Sequence, residues 1–169
     1  MIDHHFLGKQ AQRYASSKRR KIVGSLGDGT DGVVFRTDQK SAVKAVWERY
    51  AYDLELESYQ RLKAKGITKI KDFNVPTLLD YDDELQVFEM EIVTAPYVLD
   101  FGKVYLDIPP HHTDEVWRDW EKDGLARFDH RWPEVKAVLR FLEGLGIYYQ
   151  DPKPGNIMFA DWGATLDET

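Results

Sequence analysis

The chain has 169 residues, of which 43% are hydrophobic and 31% charged, and its formal net charge is -6. This length suits a single domain or two small lobes, and the composition is typical of a packed globular protein. The negative charge gives no support to nucleic-acid binding, so we expect no nucleic-acid partner. The local basic run at 18–21 is interpreted as a solvated flank of a strand.

Several further function classes are excluded by residues that the chain lacks. It contains no cysteine, which excludes disulfides and thiolate metal sites and favours a cytoplasmic location. No run of about 18 apolar residues occurs, so we expect no membrane partner. The first residues lack an apolar stretch of signal-peptide length. The adjacent histidine pairs at 4–5 and 111–112 lack helical ligand spacing and are interpreted as surface residues.

The first half of the chain has the pattern of strands around one helix. Short β-branched or alternating runs, separated by a glycine-rich turn at 27–32 and a polar turn at 38–40, predict two hairpins. A helical pattern follows from about 48 to 65 and ends at Gly66, after which two strands flank a turn at 82–84. The predicted strands are Lys21–Leu26, Val33–Thr37, Ser41–Trp47, Thr77–Tyr81 and Leu85–Val93.

The second half is predicted to be mainly helical. A short helix is expected over Asp114–Lys122, and Pro133 opens a stronger one with a continuous apolar stripe. Near the end of the chain, Ile157–Phe159 and Ala164–Asp167 are predicted to form a β-hairpin. The expected fold class is therefore α+β.

The glycines of the first turn, Gly27, Gly29 and Gly32, have a spacing that also occurs in dinucleotide-binding folds. Here the third glycine continues into a strand, and a second strand that carries Lys44 follows at once. This arrangement resembles the glycine-rich loop and lysine strand of protein kinases. Glycines allow a backbone to approach phosphate oxygens closely, and the resemblance implies that Lys44 contacts the α- and β-phosphates of ATP.

Lys44 requires a carboxylate to hold its side chain, and the predicted helix offers Glu48, Glu55 and Glu57. On a helical wheel Glu55 lies on the apolar face, whereas Glu57 shares its face with charged residues. A carboxylate on an apolar face needs a cation. We therefore expect Glu55 to pair with Lys44.

The sequence YQDPKPGN at 149–156 resembles the catalytic loop of protein kinases and follows the long helix. The resemblance implies that Asp151 accepts or orients the proton of the acceptor hydroxyl. It also implies that Lys153 neutralises charge on the transferred phosphoryl group and that Asn156 binds Mg²⁺. Tyr149 and Gln150 replace the His-Arg pair of the family, which indicates a loop that does not await a phosphorylated activation segment.

The second metal ligand has two candidates. Asp161 begins a sequence, Asp-Trp-Gly, that looks like the Asp-Phe-Gly of the family. It follows Asn156 by only five residues, and an extended strand would carry it roughly 16 Å away. The predicted terminal hairpin instead places Asp167 opposite Asn156. We therefore prefer Asp167 as the ligand and keep Asp161 as the alternative.

The segment 88–93 resembles the strand that leads into the kinase hinge. The resemblance implies that Met90 lies at the back of an adenine pocket, where the backbones of Glu91 and Val93 provide an acceptor and a donor. The roof and floor of this pocket would be formed by Val34, Ala42 and Met158.

Together these motifs resemble a reduced member of the protein-kinase superfamily, over about residues 22–167. The resemblance implies an N-terminal lobe at 1–93 with a five-stranded antiparallel sheet, and a truncated C-terminal lobe at 94–169. It also implies transfer from ATP, with Mg²⁺, to the hydroxyl of a Ser/Thr protein substrate or of the chain itself. An activation segment and a helical docking platform are not expected, by analogy with the RIO group. The alternatives are an ATP-binding pseudokinase and a small-molecule kinase related to aminoglycoside phosphotransferases.

Overall fold

The computed structural model describes residues 3–165, with the side chains of 163–165 left aside, and divides into two compact units. The first unit comprises residues up to Gly66 and Pro76–Ile92, and the second comprises Ile67–Val75 and residues from Val93 onward. The functional division between residues 93 and 94 stays a prediction. The helices are α1 (His4–Ser17), α2 (Arg49–Ala64), α3 (Asp114–Phe128) and α4 (Trp132–Glu143). The strands are β1 (Ile22–Asp28), β2 (Gly32–Thr37), β3 (Ser41–Val46), β4 (Lys69–Ile70), β5 (Phe73–Asn74), β6 (Leu78–Asp82), β7 (Val87–Glu91), β8 (Tyr97–Val98), β9 (Val104–Leu106), β10 (Ile147–Tyr149) and β11 (Ile157–Met158).

The first unit contains the antiparallel five-stranded sheet that the sequence predicts, in the order β1-β2-β3-β7-β6. The mixed α+β class is thereby confirmed. The lysine strand β3 lies in the middle of this sheet and all six of its residues are buried. A strand that is buried on both faces requires elements that cover both sides of the sheet.

Helices cover both faces of this sheet. On one face, α2 contributes Tyr52 and Tyr59, whose rings lie 6.2 and 5.7 Å from the ring of Phe88 on β7. On the other face, α1 packs Leu7 and Tyr14 into a cluster with Val33, Val43, Ala45 and Val87. Only the helix α2 was predicted.

Helix α1 was missed because its apolar residues are few. Its start is fixed by Asp3, whose carboxylate accepts hydrogen bonds from the backbone N–H groups of His5 and Phe6, at 3.0 Å each. Its buried face is formed by Leu7, Ala11, Tyr14 and Ala15, which recur at helical spacing. The capping residue and this spacing are the signals that could have revealed the helix.

A buried carboxylate connects α1 to the sheet. Glu89 on β7 is fully buried and accepts a hydrogen bond from the Tyr14 hydroxyl at 3.0 Å. Arg20 and the hydroxyl of Ser41 also donate to Glu89. Burial, together with the nearby Glu89 carboxylate, raises the pKa of Tyr14 well above its ordinary value. The interpretation of the basic run as a solvated flank is therefore wrong at Arg20, because this side chain neutralises a core carboxylate.

The second unit contains the two predicted helices. Helix α3 begins at its cap Thr113, whose hydroxyl accepts from the Val116 N–H at 3.3 Å, and it extends beyond the predicted end at Lys122. Gly124 lets the longer helix pack directly against Trp132. A Cβ at that position would lie 2.2 Å from the Trp132 ring. Within residues 3–165, no helix combines the length and the apolar character that crossing a membrane requires.

The predicted terminal hairpin does not form within the described residues. Strand β11 pairs instead with β8 in antiparallel orientation, and Ala160–Thr165 forms a 3-10 helix. The chain therefore turns where the second strand of the hairpin was expected to begin.

Aromatic packing explains this turn. The rings of Phe159 and Trp162 meet edge to face at 4.9 Å, and Trp162 stacks on Phe128 of α3 at 6.0 Å. The guanidinium of Arg131 lies over the Phe159 ring at 4.4 Å. These contacts hold the segment in a compact helical turn, whereas an extended strand would separate Phe159 from Trp162.

Candidate functional site

The first unit holds its charged candidate residues in a buried ion pair. The Lys44 ammonium donates to both carboxylate oxygens of Glu55, at 2.9 and 2.7 Å. The two side chains are only 8% and 1% exposed. The contact predicted from the helical wheel is confirmed, while the role of these residues in phosphate binding stays a prediction.

The register of the sheet places three predicted nucleotide-lining residues beside Lys44. Directly paired residues of antiparallel strands share a face. Val34 pairs with Lys44, and Ala42 pairs with Met90. Since Ala42 and Lys44 are two residues apart on β3, the four side chains lie on the same face of the sheet. This face combines one buried cation with apolar side chains.

The three glycines before Lys44 differ in how the protein uses them. A Cβ on Gly32 would lie 2.3 Å from the carbonyl oxygen of Ala45, so packing in the sheet requires a glycine there. A Cβ on Gly27 would meet nothing within 4 Å, and one on Gly29 would make only a contact at 4.0 Å. Neither packing nor a left-handed backbone accounts for Gly27 and Gly29. Open backbone at these two positions fits close approach by a ligand such as a phosphate group.

The predicted hinge begins where β7 ends. The Glu91 N–H donates to the carbonyl of Thr77 at 3.0 Å, so this N–H is used within the sheet. The role of the Glu91 backbone as the acceptor for the purine stays a prediction. For Val93, residues 3–165 supply no hydrogen-bond acceptor to its N–H group. The donor predicted for the purine edge is thus available, and its use stays a prediction.

In the second unit, the candidate base Asp151 is surrounded by three cations. Its carboxylate oxygens lie 3.7 Å from Lys103 Nζ, 3.6 Å from an Arg127 guanidinium nitrogen and 3.5 Å from Lys153 Nζ. The Asp151 side chain is 29% exposed, and the cationic side chains are each close to half exposed. These distances are longer than those of direct charge-assisted hydrogen bonds, so the carboxylate can exchange its partners easily.

Arg127 and Lys103 also hold the backbone of the predicted catalytic loop, and sequence reasoning missed both. Arg127, near the end of α3, donates to the carbonyl of Pro152 at 3.1 Å. The Gln150 N–H donates to the carbonyl of Lys103 at 3.1 Å. Arg127 thus contacts the loop that lacks the arginine usual before the catalytic Asp. No motif could have found these residues, because the fold brings them to the loop from distant segments.

Asn156 is the candidate metal ligand that the structure describes best. Its backbone is fixed, since its N–H donates to the carbonyl of Lys153 and its carbonyl accepts from Leu99. The side chain is largely buried at 8% exposure, and no described residue hydrogen-bonds its amide. An amide oxygen of this kind fits the preference of Mg²⁺ for oxygen ligands.

The carboxylate that would share this metal is not identified. The alternative ligand Asp161 forms an ion pair with Arg131 at 2.5 Å, and the preferred ligand Asp167 lies outside the described residues. Residues 3–165 contain no cluster of three or more His, Asp or Glu side chains that could hold a metal ion. Met158, which was predicted to form part of the adenine pocket, lies on β11 and is partly buried. Convergence of Lys44 and Asp151 around one nucleotide stays a prediction.

No protein-family model and no curated protein matches this chain. Similar solved structures include APH(2'')-IIa, in a ternary complex with streptomycin and ATP and in a complex with gentamicin. Each has 17% sequence identity and a TM-score of 0.40, and covers 76% of this chain. The ADP-bound aminoglycoside phosphotransferase APH(2'')-Ib has 19% identity, a TM-score of 0.38 and the same coverage. The chain spans only 38%, 37% and 37% of the length of these three structures.

Proposed function

We propose that this chain is an ATP- and Mg²⁺-dependent phosphotransferase of the protein-kinase type that transfers the γ-phosphate to a hydroxyl group. The observation that carries the proposal is the buried Lys44–Glu55 pair, on the sheet face that also presents Val34 and Ala42. Burial of an ion pair is energetically costly, and well-packed apolar residues would stabilise a core at least as well. A buried lysine fixed by a carboxylate therefore points to a role for its charge.

In this proposal Lys44 provides a fixed positive charge for the α- and β-phosphates. Glu55 restrains the ammonium through both of its oxygens, so little side-chain freedom is lost when an anion arrives. The space beside Gly27 and Gly29 allows phosphate oxygens to approach this turn closely, although the Gly29 N–H itself donates to the Gly32 carbonyl at 2.9 Å. ATP supplies the activated phosphoryl group, and Mg²⁺ supplies additional neutralising charge.

Asp151 is proposed to receive the proton of the acceptor hydroxyl as that oxygen becomes a nucleophile. Its partial exposure and its loose ion pairs leave the carboxylate accessible. Lys153, 3.5 Å from Asp151, is proposed to stabilise negative charge close to the transferred group. Asn156, whose side-chain amide has no hydrogen-bond partner among residues 3–165, is proposed as a metal ligand together with Asp167 or Asp161.

The proposed acceptor is a serine or threonine hydroxyl of a protein, including the chain itself, in the cytoplasm. A small-molecule hydroxyl would require the same chemistry from Asp151 and Lys153. The rival function is a nucleotide-binding pseudokinase. The observation that favours this rival is that both Asp151 and Asp161 are engaged by cations.

The test is transfer of labelled γ-phosphate with Mg²⁺, to the chain itself, to peptides that contain serine or threonine, and to small-molecule alcohols. Asp151→Asn should lower transfer about 10²- to 10⁴-fold, as expected on removal of a general base. Lys44→Met should lower nucleotide binding and transfer together. Asp129→Asn is the matched control, because that side chain is 88% exposed and should leave transfer unchanged.

Three outcomes separate the hypotheses. Transfer that persists unchanged in both variants would remove the assignment of Lys44 and Asp151. Nucleotide binding that depends on Lys44, without transfer to any acceptor, would establish the pseudokinase. For the metal, loss of transfer in Asp167→Ala but not in Asp161→Ala would support Asp167, and the reverse result would assign Asp161.

A further inference from the structure

A cavity with aromatic walls lies within the second unit, next to the residues that precede Asp151. Its volume is about 190 Å³, and its walls include Trp117, Trp120, Leu139 and Tyr148. Pockets for drug-sized ligands measure roughly 300–1,000 Å³, so the space suits a small group. The cavity is formed by α3, α4, β10 and the segment before α3.

The aromatic walls are held in place by neighbouring rings. Trp117 and Trp120 meet edge to face at 5.7 Å, and Trp120 meets the buried Trp132 at 4.9 Å. His112 packs against Trp117 at 5.2 Å and contacts the Gln150 side chain at 3.3 Å. These contacts fix the Trp117 and Trp120 rings before any ligand binds, which limits the entropy that binding must overcome.

One carboxylate lies in this aromatic wall. Glu143 lines the cavity as a solvent-exposed side chain, and the described lining includes no lysine or arginine. Within residues 3–165 the Glu143 side chain has no hydrogen-bond or ion-pair partner. Glu143 is also the last residue of α4. The helix dipole disfavours a negative charge at a C-terminus and favours a positive one there. Arg140 in the last turn of α4 already supplies one positive charge at this end of the helix, and a cation bound beside Glu143 would add a second.

We propose that this cavity binds a small alkylammonium group. The faces of tryptophan and tyrosine rings attract cations, and aromatic cages are a recurrent solution for quaternary ammonium ligands. Trp117, Trp120 and Tyr148 supply the rings, and Glu143 supplies the opposite charge at the helix C-terminus. The binding needs neither nucleotide nor phosphoryl transfer, so it stands independently of the proposed function.

The probe is choline, compared with 3,3-dimethylbutan-1-ol, in which a neutral carbon replaces the quaternary nitrogen. Binding is followed in the nucleotide-free protein through the indole N–H resonances of the five tryptophans. Trp117→Phe and Trp120→Phe identify the two relevant signals. Choline should shift these two resonances at constant ionic strength, and the neutral isostere should bind about 5- to 30-fold more weakly.

Variants of two glutamates on α4 isolate the charge. Glu143→Gln should weaken choline binding about fivefold and leave binding of the neutral alcohol unchanged. Glu134→Gln, an exposed residue of the first turn of the same helix, should change neither. Equal binding of the two probes, or choline binding that is insensitive to Glu143→Gln, would overturn the proposal. Shifts spread evenly over all five indoles would do the same, because they would indicate non-specific binding.

Discussion

Lys44 in the first unit and Asp151 in the second are both charged candidate residues, but the protein holds them differently. Lys44 is almost fully buried and makes two short hydrogen bonds to Glu55. Asp151 is partly exposed and lies 3.5–3.7 Å from three cations. The first arrangement is built into a hydrophobic core, and the second lies on a loop at the surface of its unit.

This difference indicates how each group can act. A buried pair in a region of low dielectric is strong and hard to rearrange, so Lys44 is suited to a fixed position. Partly exposed ion pairs are weak and exchange readily, so Asp151 can turn to a hydroxyl proton at little cost. In the proposed mechanism, Lys44, which contacts the nucleotide, is therefore rigid, whereas Asp151, which contacts the acceptor, can move.

The largest expected effect tests the burial of the Lys44–Glu55 pair. Glu55→Ala should lower the free energy of unfolding by about 3–5 kcal/mol, because it leaves the Lys44 ammonium buried without this carboxylate. The double variant Lys44→Met with Glu55→Leu should recover most of that loss, since apolar residues can replace a buried pair. Urea unfolding at neutral pH measures both.

The same measurement on Asp151→Asn provides the comparison. Because that carboxylate makes loose, partly exposed pairs, its removal should change the free energy of unfolding by no more than about 1 kcal/mol. A large loss for Asp151→Asn, or a small one for Glu55→Ala, would contradict the contrast between a rigid site and a mobile one.

A second prediction separates glycines that the sheet needs from glycines that it does not. Gly32→Ala should lower the free energy of unfolding by about 1–3 kcal/mol, since the added methyl group meets the Ala45 carbonyl. Gly27→Ala should leave stability nearly unchanged but weaken ATP binding, as measured by titration calorimetry. Gly24→Ala, on the same strand and equally free of contacts, is the control for both measurements. Unchanged ATP binding in Gly27→Ala would argue against a phosphate at this turn.

Much of the first unit could be predicted from the sequence because local signals were sufficient there. Alternating runs gave the strands, and the position of Glu55 on the apolar face of α2 gave its contact with Lys44. Helix α1 was missed because alanines form half of its buried face, although that face recurs at helical spacing. The hydrogen bond that attaches this helix to the sheet, from Tyr14 to Glu89, joins residues far apart in the chain.

The second unit depended more on tertiary contacts. Arg127 and Lys103 reach the predicted catalytic loop from other segments of the chain, and no local pattern marks them. The terminal hairpin was predicted from strand-like residues, but the packing of Trp162 against Phe128 and Phe159 favours a helical turn. Extended and helical conformations of so short a segment differ little in intrinsic preference, and aromatic contacts decide between them.

The smallest expected effect concerns the exposed end of the α1 attachment, where Lys18 lies 2.5 Å from Asp80 on β6. The hydrogen bond from Lys18, with smaller contributions from the Tyr81 N–H and nearby charge, lowers the pKa of Asp80. A carboxyl whose pKa is lower in the folded protein stabilises the fold above its unfolded pKa, near 3.9, and loses that contribution as the pH falls through the folded value. Asp80→Asn should therefore lower the free energy of unfolding by about 0.2–1 kcal/mol at neutral pH, and the difference from the wild type should shrink in acid.

Thermal unfolding from pH 7 to pH 3 measures this difference, with Asp72→Asn as the control, because Asp72 is exposed and has no ion pair among residues 3–165. Lys18→Met should produce the same loss, and adding Asp80→Asn to it should have no further effect, because each variant removes the same interaction. High salt should reduce the effect at this exposed pair but leave the loss in Glu55→Ala nearly unchanged. Equal salt sensitivity of the two would mean that the buried and exposed charges of the first unit do not differ as their burial indicates.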